Sequence, residues 1–272
     1  MKRLSLYAMI SLVLLLGQTG LLAQNADEQR LVVPLSDAGQ PARLHVSLMS
    51  GRIEVTAYQG QEVIVVARPH STKEKEKIVD GMRRIPNTSI GLTVEEDDNV
   101  IQVGADWTNR GIDIEIQVPA RTSAYLSTIN NGDIVVNGLT GELELENTNG
   151  AITATEISGS VVADTTNGPV RVTFVEIDAE KEMAFASFNG NVDVTFPPGL
   201  RADLRISSGQ GDIFTDFDAE VQPRSPVVER GEDGGRYQVR VQGDVHVKIG
   251  GGGPVYRFKT LNGNVYVRKA GG

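Results

Sequence analysis

Residues Asn131–Val172 read NGDIVVNGLTGELELENTNGAITATEISGSVVADTTNGPVRV, and this stretch decides the fold. Glycines fall at Gly132, Gly141, Gly150, Gly159 and Gly168, a constant step of nine. Two residues after each stand Ile134, Leu143, Ile152, Val161 and Val170. Two further on stand Val136, Leu145, Ala154, Ala163 and Val172. The intervening positions are mixed, from Val135 and Glu144 to Arg171. Apolar residues at every second position are the mark of a strand, not a helix. Alternate corners differ. Asn131-Gly132, Asn149-Gly150 and Asn167-Gly168 form one kind, with Thr140-Gly141 and Ser158-Gly159 between them. The true period is therefore eighteen: two strands and two kinds of corner.

Two architectures can hold such a repeat. In a meander, Asn-Gly closes tight hairpins and neighbouring strands run antiparallel. In a solenoid, each unit is one coil and equivalent residues stack about 4.8 Å apart in parallel ladders. The solenoid explains more. It needs like residues at eighteen-residue offsets and finds them in Ile134/Ile152/Val170, Leu139/Ile157/Val175 and Thr148/Thr166. It also stacks Asn131, Asn149 and Asn167 as an amide ladder, with the following glycine allowing a sharp corner.

Outward from this stretch the pattern recurs. Phe188-Asn189-Gly190-Asn191-Val192, Gly209-Gln210-Gly211-Asp212-Ile213 and Leu261-Asn262-Gly263-Asn264-Val265 repeat the corner, as does Ser50-Gly51-Arg52-Ile53 earlier. The expected fold is all-β, a β-solenoid of short coils with ladders of Ile, Val and Leu inside. Three stretches break the rhythm. Residues 72–85 space Ile78, Val79 and Met82 like a short amphipathic helix. Residues 216–236, with Pro223, Pro226 and three glycines, read as an irregular mobile loop. Gly250–Gly253 reads as a flexible link. The chain divides into a leader (1–23), a β-rich part (24–120) and the regular repeat (121–272), the last two sharing one core.

The leader carries Lys2 and Arg3, then an apolar run from Tyr7 to Leu16, then Leu21-Leu22-Ala23. This is the form of a cleaved secretory signal, too short to span about 30 Å of hydrocarbon. The protein is expected to be exported: periplasmic, surface-held or released. The formal net charge of −9 leaves no basic excess to neutralise phosphates, so nucleic acid is not the expected partner. The absence of cysteine excludes thiol catalysis, disulfides and a lipid-anchored Cys.

No catalytic, cofactor-binding or metal-ligating residues are assigned from the sequence. His45, His70 and His246 lack metal-ligand spacing. Asp133 and Asp212 follow their glycines, but Glu142, Ala151, Ser160 and Pro169 take the equivalent positions elsewhere, so no ladder of calcium ligands forms. The acidic run Glu95–Asp98 reads as a solvated hairpin turn. Trp107, the sole tryptophan, reads as a turn aromatic, with sugar stacking as its functional alternative. Lys259, Arg268 and Lys269 near the C-terminus would discourage pairing at an open strand edge, which favours a monomer.

The Ile112–Arg121 strand with its Val-Pro ending resembles the putative-adhesin family of exported β-strand-repeat proteins. The Asn131–Val136 corner and the closing Lys259–Val265 segment share that likeness. The resemblance implies a solenoid-like fold, export and no established enzymatic activity, and it supplies no site residues. The expected function is a non-enzymatic envelope or surface module that binds an unidentified protein or glycan, or acts as a scaffold. The alternatives are a carbohydrate-active enzyme with an acidic cleft at 175–190 and 216–236, and a self-assembling scaffold.

Overall fold

Strand register decides between the two architectures. In the computed structural model Ile134 pairs with Ile152 and Ile152 with Val170, in parallel and eighteen residues apart. Leu143 pairs with Val161 in the same way. The repeat is a solenoid, and the hairpin meander does not occur in it. The structure describes residues 28–70, 78–80, 82–83, 91–105, 111–223, 227–230, 237–240 and 244–271. The expected leader at 1–23 and Trp107 lie outside these residues.

Each coil places one strand on each of two faces. Face one runs, neighbour to neighbour, through Leu92–Asp97, Val100–Ala105, Ala42–Ser50, Thr122–Asn130, Thr140–Asn149, residues 158–167, Met183–Asn189, Val255–Thr260, Ala202–Ser208, Val245–Ile249 and Ala219–Val221. Face two runs through Gln29–Pro34, Glu62–Pro69, Ile112–Pro119, Ile53–Tyr58, Ile134–Asn137, residues 152–157, Val170–Ile177, Val192–Phe196, Val265–Lys269 and Ile213–Thr215. The strand Ile152–Asn167 belongs to both, turning at Glu156, whose φ is 56°.

The alternating apolar residues point between the faces and are buried, except Val175: it is expected to stack on Ile157, but a register shift gives that place to Phe174 and leaves Val175 64% exposed. Burying each Val, Leu or Ile contributes about 1.5–3 kcal/mol, which makes this column the main stabilisation. Toward the C-terminal half the filling becomes aromatic. Phe174 stacks on Phe196 at 5.2 Å, Phe196 on Tyr256 at 5.6 Å, and Phe185 on Phe258 at 5.2 Å. The expected aliphatic ladders continue there, as Val170/Val192/Val265 and Val172/Val194/Val267, with the aromatic layer beside them.

The Asn-Gly corners carry two further ladders. A buried side chain before each corner glycine donates to the glycine carbonyl of an adjacent coil. Asn147 Nδ2 reaches Gly132 O (3.0 Å), Thr165 Oγ1 reaches Gly150 O (2.9 Å), Ser187 Oγ reaches Gly168 O (2.7 Å) and Thr260 Oγ1 reaches Gly190 O (2.8 Å). Carbonyls at a buried corner would otherwise go unpaired, a costly state. Outside them runs the amide ladder, Asn130–Asn149–Asn167–Asn189–Asn262, with links of 2.7–3.1 Å. Its first member is Asn130, not Asn131 as expected. That coil holds one extra residue, and Asn131 absorbs it in a left-handed conformation (φ 54°).

Other expectations are corrected. The helix expected over 72–85 is not present among the described residues. Ile78–Val79 and Met82–Arg83 pair as a small antiparallel ladder, turning at Asp80 with a φ of 50°. Within 216–236, expected as irregular loop, Ala219–Val221 pairs with Val245–Ile249, and Val227–Arg230 forms a hairpin with Tyr237–Arg240. Gly250–Gly252 form a defined turn of positive φ rather than a flexible link. Lys259, Arg268 and Lys269 guard no edge, because their strands are paired on both sides.

Candidate functional site

The interior positions are apolar and buried, and the hollows described below lie on the outside of the coils. On face one the outward positions line up in rows across the strands. One row reads Gln102, His45, Tyr125, Glu144, Val162, Ala184, Arg257, Arg205, His246. The next reads Ser47, Ser127, Glu146, Asp164, Ala186, Lys259, Ser207. Both rows change sign at the same strand. Carboxylates lie on the N-terminal side of Ala184 and Ala186, and cations on the C-terminal side.

Tyr125 is the aromatic centre of the acidic half. Its hydroxyl donates to Glu146 Oε2 at 2.9 Å, which holds the ring along the sheet, and His45 meets it edge-on with ring centroids 6.1 Å apart. The bond to the Glu146 carboxylate, then burial, raises the Tyr125 pKa. Burial, then the nearby Glu146 carboxylate, raises that of Asp164. Shallow hollows of about 390 and 330 Å³ flank the Tyr125–His45 pair. A third, about 480 Å³, follows the second corner along Gly141, Ser158 and Gly159.

The insertion before Phe188, where an enzymatic cleft would need a wall, is a short turn tied down to the face. Lys181 Nζ lies 2.9 Å from Glu142 and Arg257 donates to Glu182 at 2.7 Å. His45 and His246 point outward on this face, while His70 Nδ1 sits 2.6 Å from Asp113 on the other side. Of the run Glu95–Asp98, expected as a hairpin turn, Glu95–Asp97 end the strand Leu92–Asp97, which pairs antiparallel with Val100–Ala105, and the turn itself is Asp98-Asn99. Among the described residues no group of three or more His, Asp or Glu side chains could hold a metal ion, and no helix is long and apolar enough to cross a membrane. The Tyr125–Glu146 and His45–Tyr125 contacts went unforeseen, since neither residue belongs to the repeating glycine or apolar positions. The alternation alone would have placed both on the outer surface.

The family model described as Toastrack DUF4097 matches residues 24–248. The chain belongs to this family. The Toastrack match ends before the strands Val255–Thr260 and Val265–Lys269. No curated protein matches the chain. Two solved structures are similar to it. One is a putative cell adhesion protein from Clostridium sporogenes, 8% identical with a TM-score of 0.44, covering 89% of this chain and 99% of its own. The other is a putative adhesin from Bacteroides fragilis, 12% identical with a TM-score of 0.42, covering 90% and 98%.

Proposed function

We propose that the protein is a non-enzymatic, exported module of the cell envelope or surface that works by binding, in the manner of an adhesin or scaffold, with face one as its recognition surface. The observation that carries this reading is the sorting of charge along two neighbouring rows of face one, over a buried apolar interior. A sheet ordered before contact loses little conformational freedom on binding. Oppositely charged halves orient a partner and speed its approach. The leader expected at 1–23 supports export. The ligand class is a protein or glycan of the envelope or of a neighbouring cell.

The test is a survey of purified protein against cell fractions and glycans, repeated with Glu144→Lys on face one and Glu54→Lys on face two. Loss of binding with the first change and not the second is expected. Equal loss, or none, removes face one from the function. Turnover of a polysaccharide in the same survey would favour the carbohydrate-active enzyme instead.

A further inference from the structure

We propose that the partner recognised by face one is a second copy of the same chain, docked face to face and antiparallel. The inference rests on face one being the recognition surface, and names what occupies it. The geometry is self-complementary about the strand Met183–Asn189. A two-fold axis along that strand exchanges the two halves of the face. It lays Glu144 over the partner's Arg205, each two strands from the axis, and Asp164 over the partner's Lys259, each one strand away. Among the described residues none of these four is in an ion pair within its own chain. Two like-charged meetings arise, Glu142 near the partner's Asp203 and Glu182 near its own symmetry mate; Lys181 beside Glu142 relieves the first and Arg257 beside Glu182 the second.

Beyond Glu182, which Arg257 neutralises at its head, the axial strand presents no charge. Ala184 and Ala186 stand on it with minimal side chains, so the two sheets can approach closely. Phe188, the next outward residue on that strand, is 52% exposed and would meet its own symmetry mate, with Leu261 (39% exposed) beside it. An apolar centre flanked by charge is the usual anatomy of a specific interface, and a shared patch related by a two-fold is the commonest way identical chains associate. The seven strands from Thr122–Asn130 to Val245–Ile249 span about 34 Å by 23 Å at ordinary strand spacing. That area is close to the roughly 800 Å² per partner of a stable complex. Because the axis reverses the rod, the two N-terminal ends point in opposite directions, an arrangement that can join chains held on two different surfaces.

Sedimentation equilibrium of the purified protein tests this. The wild type should show a concentration-dependent monomer–dimer equilibrium that weakens as salt rises. Asp164→Lys and Lys259→Asp should each weaken self-association by about tenfold or more, and the double exchange should return it to within about threefold of wild type. Phe188→Ser should also weaken it, while Phe214→Arg, on the exposed terminal strand of face two, should not. A monomer at every concentration, or a dimer indifferent to Asp164 and Lys259, overturns the inference. If the monomer still loses cell-fraction binding with Glu144→Lys, the self-pairing is wrong and the recognition face stands. If Glu144→Lys changes neither, both fall.

Discussion

At Gly168 the constraint comes from its neighbour, not from its own dihedral angles. A Cβ there would lie 2.2 Å from the Gly150 carbonyl oxygen, and one on Gly150 would lie 2.1 Å from that of Gly132. The corner glycines thus form a column in which each leaves room for the next, a reason for the residue that the expected sharp turn did not capture. Gly168→Ala should destabilise by about 2 kcal/mol or more in urea unfolding. Gly199→Ala, with nothing within 4 Å of the added atom, should stay within about 0.5 kcal/mol of wild type. Tyr256 poses the opposite problem. Its ring stacks on Phe196, its buried hydroxyl has no hydrogen-bond partner, and burial, then the nearby Asp178 charge, raises its pKa from 10.0 to about 12. The native state therefore holds this proton more tightly than the unfolded chain. Stability from this group is complete below about pH 10 and is lost as pH rises toward about 12. Tyr256→Phe should leave neutral stability equal or slightly higher, because an unpaired polar atom is removed. It should also flatten the alkaline fall of the urea midpoint.

Each strand is specified by alternation, and alternation was legible except past the register shift at Ile157, where Phe174 rather than Val175 takes the inward place. Val170 faces inward and is wholly buried, whereas Arg171 faces outward beside Asp193. Val170→Asp should cost at least about 3 kcal/mol and broaden or abolish the thermal transition. Arg171→Asp should cost about 1 kcal/mol or less. Equal effects, read by circular dichroism, would contradict the inside–outside assignment. The helix expected around Ile78–Met82 fails for an instructive reason. Three apolar residues spaced over one turn are too few to separate the two periods, and the left-handed Asp80 places a tight turn where a helix would have to continue. The face-one rows, by contrast, were legible only as a list of polar residues. Which carboxylate stands beside which cation depends on register between distant strands, such as Ala186 with Lys259, and no local spacing encodes that.

For the whole molecule, the repeat implied a stack but not its order. The C-terminal strands Val255–Thr260 and Val265–Lys269 do not extend the end of the rod. They slot between the coil of Met183–Phe196 and that of Ala202–Thr215, parallel to both. The corner Asn262-Gly263 is of the common type, so its sequence fits equally well at any level of the stack, and the choice is made by which interior it completes. Here Phe258 and Tyr256 fill the aromatic layer beside Phe185 and Phe196. Removing residues 255–272 should therefore do more than trim an end. It strips the partners from two internal coils, and the truncated protein should lose cooperative unfolding and become insoluble on expression, whereas deletion of the terminal strand Gln29–Pro34 should leave the melt cooperative.

The position of that last coil also sets a timetable. A rod of stacked repeats can ordinarily consolidate from its first coil while later ones are still being made. This one has a gap between two of its coils until Val255–Lys269 arrives, so those coils stay open until that segment has been made. On the proposed export route such a delay is useful: the closing segment crosses after the coils that it completes, so those coils lock only on the far side.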